Sequence, residues 1–436
     1  MKYVVIALIG ALAAYMSNKG IAVFNDGFRA IVPQYYDGQI NRKELAAMSF
    51  AISFGLVIGF GIPTSIAASI LLVHSVLLAT DIIGVWFPET KMGTIACCVA
   101  GAAYGLLLVV GLDFIVQLFA MLPFNFLGDL GNVSMYVMVA FAVFPAVVVS
   151  RQFGFAKGAI TGIITVLSFF LVKRFGTFTM DDSTITLSAE GTAMMIGVIL
   201  MLLFAMQVKA DGEGSNMQLV HVFSDKVSKI RKNWLVLIVM GGLIAAATSL
   251  TIMAGDPISL ALAGEGNFNE AALAALARAI GFIPLVFTTA IVTGVYAPAG
   301  CTFVFVAGLF LHGNPLMAFL AGAIIMGVEL ALINVFAAGM DKFPGVKDMG
   351  EHIRTSMNQV LELALLVGAV TASESMSAAF GLTGAGALFV IACVLLNRAS
   401  SKPIVEMAIG PVACIFYGIL LNLLMVCQII ALVPAA

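Results

Sequence analysis

Apolar residues run along this chain in long blocks separated by short polar or Gly/Pro-containing connections. Fourteen of the blocks approach the length a helix needs to cross a hydrocarbon core of about 30 Å. Seven begin near Tyr3, Glu44, Thr64, Met92, Val133, Phe155 and Thr192, and seven near Trp234, Glu270, Ala299, Pro315, Met357, Leu382 and Ile404. The polar stretch Lys209 to Asn233 divides the two sets. The pattern predicts an all-α polytopic membrane protein of about 14 transmembrane helices, since an outer-membrane barrel would show alternating segments of roughly ten residues instead.

The basic residues test that count, because a missed or invented span would scramble their sides. With the predicted spans, Lys2, Lys173 and Arg174 fall on one side and Arg278 inside a span, leaving 17 of the 21 Lys and Arg on the other side. The rich side is expected to be the cytoplasm, which puts both termini in the periplasm and the central connection inside the cell.

The two sets also echo each other. Phe24-Asn25-Asp26-Gly27 follows the first block as Ala254-Gly255-Asp256-Pro257 follows the eighth, and Ala100-Gly101-Ala102 corresponds to Ala321-Gly322-Ala323. Phe153-Gly154 corresponds to Phe380-Gly381, and Met195-Ile196-Gly197 to Ala408-Ile409-Gly410. Seven spans is an odd number, so the second copy enters the membrane from the opposite face. The expected organisation is an inverted repeat over 1–208, a cytoplasmic linker over 209–233 and a second repeat over 234–436. In the linker, Leu219, Val220, Phe223, Val227 and Ile230 share one helical stripe, with Lys226, Lys229 and Lys232 off it. An amphipathic surface helix and a solvated basic connector both fit that pattern.

Two apolar stretches are interrupted without any nearby charge, GFGIPTS at Gly59 to Ser65 and GVYAPAGC at Gly294 to Cys301. Irregular backbone at membrane depth survives only where protein or a water-filled cavity covers it. Helices restarting at Thr64 and Ala299 would present free N–H groups and a positive dipole end to a polar or anionic ligand. The candidate substrate-binding set is therefore Pro63, Thr64, Ser65, Ala299, Gly300, Cys301 and Thr302, joined by His74 and Arg278. Short extramembrane turns, or the tips of re-entrant hairpins, are the competing readings of the same breaks.

Ionisable groups inside spans are costly and so point to function. Glu329, in the middle of MGVELALIN, is the leading candidate for ion coupling, with Asp81 and Glu362 beside it. His74 and Asp81 are seven residues apart and share a helical face, as a relay would. A packed histidine and an interfacial aspartate explain the same spacing. Asp26 and Asp256 sit just past helix ends, where capping competes with a binding role.

Composition narrows the function classes. Of 436 residues 61% are hydrophobic and 10% charged, with a mean hydropathy of +1.10, far from a soluble domain. A net charge of -2 with scattered basic residues gives no nucleic-acid footprint. The six cysteines lie in apolar runs with no CxxC pair, which reads as packing rather than metal or disulfide chemistry. Met1 to Ser17 imitates a signal peptide, but its counterpart in the second half makes an uncleaved span the better reading. HExxH, GxSxG and GxxxxGK[ST] motifs are missing, and no polar segment is long enough for a nucleotide-binding domain. The expected function is an ion-coupled secondary transporter of a small polar, by the dipole argument anionic, metabolite. It would work by alternating access, with Na⁺ or H⁺ as the coupling ion and no other cofactor. A permease component of a phosphotransferase-type sugar system and a membrane-embedded enzyme are the alternatives.

The segments AVFNDGFRAIVPQYYDGQINRKE (Ala22 to Glu44), TDIIGV (Thr80 to Val85), GVYAPAGCTFVF (Gly294 to Phe305) and LELALLVG (Leu361 to Gly368) resemble the YhfT family of bacterial inner-membrane proteins. The resemblance implies a multi-pass protein of the inner membrane with a transport role, and it carries no site residues over. The family pattern has His in the place of Asn25 and Val in the place of Pro298, so the glycines rather than the proline define the second break. By analogy with inverted-repeat permeases, the nucleobase and phosphotransferase-type sugar carriers among them, the resemblance is compatible with an elevator motion of a core against the scaffold of a homodimer.

Overall fold

The computed structural model describes residues 1–29, 31–180, 183–187, 189–208, 226–340, 344–401, 403 and 406–433. The first helix, α1 (Lys2–Asn18), runs into extended backbone and two short helices, α2 (Asp26–Arg29) and α3 (Val32–Tyr36). Helix α4 (Arg42–Leu56) then starts at a capping box. Asn41 Oδ1 accepts from the N–H of Lys43 and Glu44, and the Glu44 carboxylate accepts from the N–H of Asn41 at 2.8 Å.

The first break lies later than expected. A π-helical turn (Val57–Gly61) carries α4 directly into α5 (Ile62–Ala68), so no helix restarts at Thr64. Pro63 occupies the first turn of α5, where a missing N–H is tolerated, and the widened turn before it lets the helix continue. The chain leaves the helix only at Ser69, which adopts φ +56°, and then forms β1 (Leu71–Leu72) and α6 (Val73–Trp86). Four helices complete the first half: α7 (Lys91–Ala120), α8 (Leu127–Phe153), α9 (Phe155–Phe175) and α10 (Ala189–Met206). An antiparallel hairpin of β2 (Thr177–Met180) and β3 (Ser183–Thr186) joins the last two, a departure from the expected all-α chain.

Residues 209–225 of the predicted linker, with Leu219, Val220 and Phe223, lie outside the described residues. The linker's end is α11 (Lys226–Lys232), which buries Val227 and Ile230 and meets α12 (Trp234–Ser249) at 66°. Next come β4 (Met253–Ala254), α13 (Pro257–Gly264) and α14 (Phe268–Thr293). Helix α14 bends by 48° between Ile280 and Leu285, where Pro284 has no N–H to donate. Gly294 ends it at φ +72°, and a turn with Gly300 at φ +54° and Thr302 at φ +75° delays the next helix, α15 (Phe303–Phe310). The second break therefore sits where expected, but its helix restarts at Phe303 rather than Ala299. Helices α16 (Pro315–Met340), α17 (Pro344–Ala378), α18 (Ala385–Ala399) and α19 (Glu406–Val426) complete the chain.

Among the described residues seven helices are long and apolar enough to cross a membrane, and nine if each bent pair counts as one span. This is the architecture of a polytopic helical membrane protein. Its extended segments pair across the two halves. β1 runs parallel to β4, with Leu71 N–H donating to Ile252 O at 3.0 Å. Ala22, just after α1, bridges Tyr296, just before α15; Val23 N–H donates to Tyr296 O at 2.9 Å and Tyr296 N–H to Ile21 O at 3.0 Å. These bonds satisfy backbone groups that hydrocarbon could not.

Side chains gather into two main apolar clusters. One joins α8, α10, α17 and α19; the other joins α1, α6, α12 and α16; and α7, α14 and α15 contribute to both. Within the second cluster the helices cross with backbones almost touching. A Cβ on Gly101 of α7 would stand 2.3 Å from Gly10 O of α1, and one on Gly322 of α16 would stand 2.5 Å from Gly241 O of α12. Small residues at such crossings are what dispersion-driven packing in a membrane requires.

Candidate functional site

A cavity of about 440 Å³ lies beside the second break, whereas Gly59 to Ser65 of the first break do not line it. Phe24 to Gly27 after α1, His74 and Leu78 of α6, and Ala299, Gly300 and Thr302 before α15 form one side. Arg278, Phe282 and Val286 of α14 and Ile52 and Leu56 of α4 form another. Thr355, Gln359 and Leu361 of α17 and Met407 of α19 close the remainder. Gln359 is exposed, so the α17 side leads to the surface of the molecule.

Two buried carboxylates hold the irregular backbone in place. Asp81 of α6 is 1% exposed and accepts from the N–H groups of Phe24 (3.0 Å) and Asn25 (2.8 Å), fixing the segment that follows α1. Glu329 of α16 is 5% exposed and its Oε2 accepts from Cys301 N–H at 2.7 Å and from the Tyr296 hydroxyl at 2.9 Å. The turn comes this close because residue 300 is glycine, whose Cβ would stand 2.1 Å from the same oxygen. The other oxygen of Glu329 has no hydrogen-bond partner among the described residues.

Two arginines are buried at the cavity in different ways. Arg29 is 1% exposed and fully engaged, with Asp26 at 2.8 Å, the Thr289 hydroxyl at 2.6 Å and the carbonyl of Val23 at 3.2 Å. Arg278 is 4% exposed, lies 4.6 Å over the ring of Phe282, and has no carboxylate within ion-pair distance among the described residues. Its Nε has no hydrogen-bond partner among the described residues. Asp256, an acidic neighbour that acts on it electrostatically, directs its own carboxylate to the N–H and hydroxyl of Ser259 at 2.8 and 2.6 Å. His74 packs edge-on to Phe24 and Phe60, and among the described residues its Nδ1 and Oγ1 of Thr302 have no hydrogen-bond partner.

Of the candidate residues, His74, Arg278, Ala299, Gly300 and Thr302 line the cavity. Asp81, Glu329 and Cys301 stand immediately behind its wall through the bonds above. Pro63 and Thr64 are buried in α5. Ser65 is occupied locally, its hydroxyl donating to Gly61 O at 2.6 Å and accepting Leu72 N–H at 2.8 Å, which secures β1. Glu362 lies elsewhere, on α17 beside Arg398 at 3.5 Å with 42% of its side chain exposed. Among the described residues no three His, Cys, Asp or Glu side chains come together as a metal site.

Arg29 and Tyr296 escape the sequence reading. Arg29 falls between apolar blocks and reads as a cytoplasmic charge, yet Asp26 three residues before it and the apolar run FRAIV around it are signs of a buried ion pair. Tyr296 carries no positional signal until the turn is folded against Glu329.

The YhfT family model, described as a protein of unknown function, matches residues 2–430. The uncharacterized protein YhfT of Escherichia coli (strain K12) is 32% identical over 442 residues, covering 97% of each chain. No solved structure matches the chain.

Proposed function

The chain belongs to the YhfT family, and we propose that it is an ion-coupled secondary transporter that carries a small polar or anionic metabolite across the bacterial inner membrane by alternating access. The observation that carries this reading is the exchange of extended segments between the two halves, one of the two pairings lying beside a cavity lined by polar and apolar side chains. If α1, α4–α5, α6, α7, α8, α9 and α10 correspond in order to α12, α14, α15, α16, α17, α18 and α19, the two cross-pairings are one pairing seen twice. β1 precedes α6 and pairs with β4 after α12; Tyr296 precedes α15 and bridges Ala22 after α1. The close glycine crossings of α1 on α7 and of α12 on α16 obey the same correspondence. So do the contacts of α8 with α9 and of α17 with α18.

That correspondence supports fourteen spans in two inverted seven-helix repeats, with both termini periplasmic. It also supports a division of labour: α1, α6, α7, α12, α15 and α16 would move as the substrate-bearing core, against a scaffold of α8, α9, α10, α17, α18 and α19. The cavity lies between core and scaffold and reaches the surface on the cytoplasmic side, near Gln359. The pseudo-symmetric state would close that side and open the other. Glu329 is the coupling group in this scheme, because a proton or Na⁺ on its carboxylate changes how firmly the turn at the cavity wall is held.

The test is reconstitution. Ligands found by thermal shift with and without Na⁺ and across pH are assayed for uphill accumulation in vesicles. Accumulation that collapses when ionophores dissipate the gradient supports the proposal. Chemical turnover of the ligand without translocation, or uptake that needs separate phosphorylating subunits, refutes it.

A further inference from the structure

We infer that the cavity is a recognition site for a small monocarboxylate carrying an apolar body, an inference that narrows the transport reading and rests on it for its physiological meaning. A guanidinium removed from water without a counter-charge is expensive, and in a membrane protein more so. Arg278 is in that position: it is 4% exposed, lines the cavity, keeps an unpartnered Nε and has no carboxylate within ion-pair distance among the described residues. Asp256 and Asp26 act on it electrostatically from beyond ion-pair distance, and the close counter-charge comes with the ligand.

The remaining wall says what kind of anion. Thr302 Oγ1 and His74 Nδ1, on residues that line the same cavity, also lack partners among the described residues and supply a hydroxyl and a ring nitrogen for a second and third hydrogen bond. Arg29 adds no further free charge, since Asp26 pairs with it at 2.8 Å. One cation without a close ion pair matches one negative charge. A planar guanidinium fork fits a planar carboxylate in two-pronged geometry, whereas a phosphate dianion would remain half unpaired. Leu56, Leu78, Leu285 and Met407 line the same cavity; they offer nothing to a polyhydroxylated solute and cover an alkyl or aromatic group. The ring of Phe282, under the guanidinium, extends that apolar wall to the charge itself. At about 440 Å³ the cavity is at the small end of the ~300–1,000 Å³ typical of ligand sites.

The experiment compares matched probes on the purified full-length protein by thermal shift and equilibrium binding. Phenylacetate and butyrate are the carboxylates, phenylacetamide is the neutral isostere and phenethylamine the cation. The expected result is saturable stabilisation by a carboxylate, with phenylacetamide weaker by about 10- to 100-fold. Arg278→Gln should erase that preference and Arg278→Lys should keep part of it. Should Arg278→Gln fail to fold, Thr302→Val reads the same corner, and it should weaken carboxylate binding more than amide binding. Equal stabilisation by phenylacetamide or phenethylamine, or no stabilisation by either carboxylate, overturns the inference. Carboxylate binding without uptake in vesicles sinks the transport reading and leaves the site standing; uptake of a neutral solute with no carboxylate binding does the reverse.

Discussion

Glu329 and Cys301 meet through a 2.7 Å hydrogen bond from backbone N–H to carboxylate, with Gly300 packed so tightly beside it that any side chain would displace the acid. An ionisable group inside the bundle and the turn at the cavity wall are thereby one mechanical unit. Exchanging the acid for its amide separates charge from shape. Glu329→Gln should leave a folded protein that still exchanges substrate across the vesicle membrane but no longer accumulates it against a gradient. Counterflow and uphill uptake measured side by side read the two properties; normal uphill uptake by this variant removes Glu329 from the coupling role.

Gly300→Ala attacks the same unit from the other side. The new Cβ meets Glu329 Oε2 and the backbone sits at φ +54°, so strain and clash add. Thermal stability should fall by the equivalent of roughly 1–3 kcal/mol, with ligand stabilisation lost.

Asp81 is the anchor for Phe24 and Asn25. Asp81→Ala strands one buried and one partly buried N–H group, at up to about 1–3 kcal/mol each, whereas Asp81→Asn keeps a carbonyl oxygen for one of them. The alanine variant should lose more thermal stability than the asparagine variant. Equal losses would mean that the carboxylate does not hold this segment.

Gly101→Val and Gly322→Val should each loosen one helix crossing, because their Cβ atoms would stand 2.3 and 2.5 Å from backbone oxygens of α1 and α12. Overpacking of this kind costs about 1–3 kcal/mol or more. Gly111→Ala, on the same helix as Gly101 but with nothing within 4 Å, is the control and should be neutral.

At the first break, Ser65→Ala should cost more stability than Pro63→Ala. The serine hydroxyl satisfies Leu72 N–H at 2.8 Å, a bond worth about 1–3 kcal/mol when its donor is left buried, while the helix runs through the proline. A more damaging Pro63→Ala would restore the proline as the organising residue.

Much of the architecture is legible in the chain because apolar length and small-residue echoes survive without any knowledge of contacts. Ala100-Gly101-Ala102 and Ala321-Gly322-Ala323 look alike in sequence and turn out to mark two equivalent glycine crossings. The second break is readable because Gly294 and Gly300 both adopt positive φ, and glycine announces that freedom. The first is misplaced by several residues for the converse reason. Pro63 is conspicuous but sits harmlessly in a helical first turn, while the residue that ends the helix, Ser69, enters left-handed backbone with no mark on it. Arg29 and Glu362 trade places between sequence and structure. Counting charges treats an arginine between apolar blocks as solvated and a glutamate within a block as immersed, but burial depends on neighbours distant in the chain. Thr289 and Asp26 enclose Arg29, whereas Glu362 points to the rim beside Arg398.

The pairing of β1 with β4 also imposes an order on biosynthesis. Leu72 leaves the ribosome about 180 residues before Ala254, an interval of roughly 10–40 s at ordinary elongation rates. Through that interval the first half carries extended backbone whose partners have not yet been made, in a solvent that offers no substitutes. Neither half is then a finished unit on its own. The insertion machinery, or the polar interior of the growing bundle, must shelter an open strand until the second half arrives to close it.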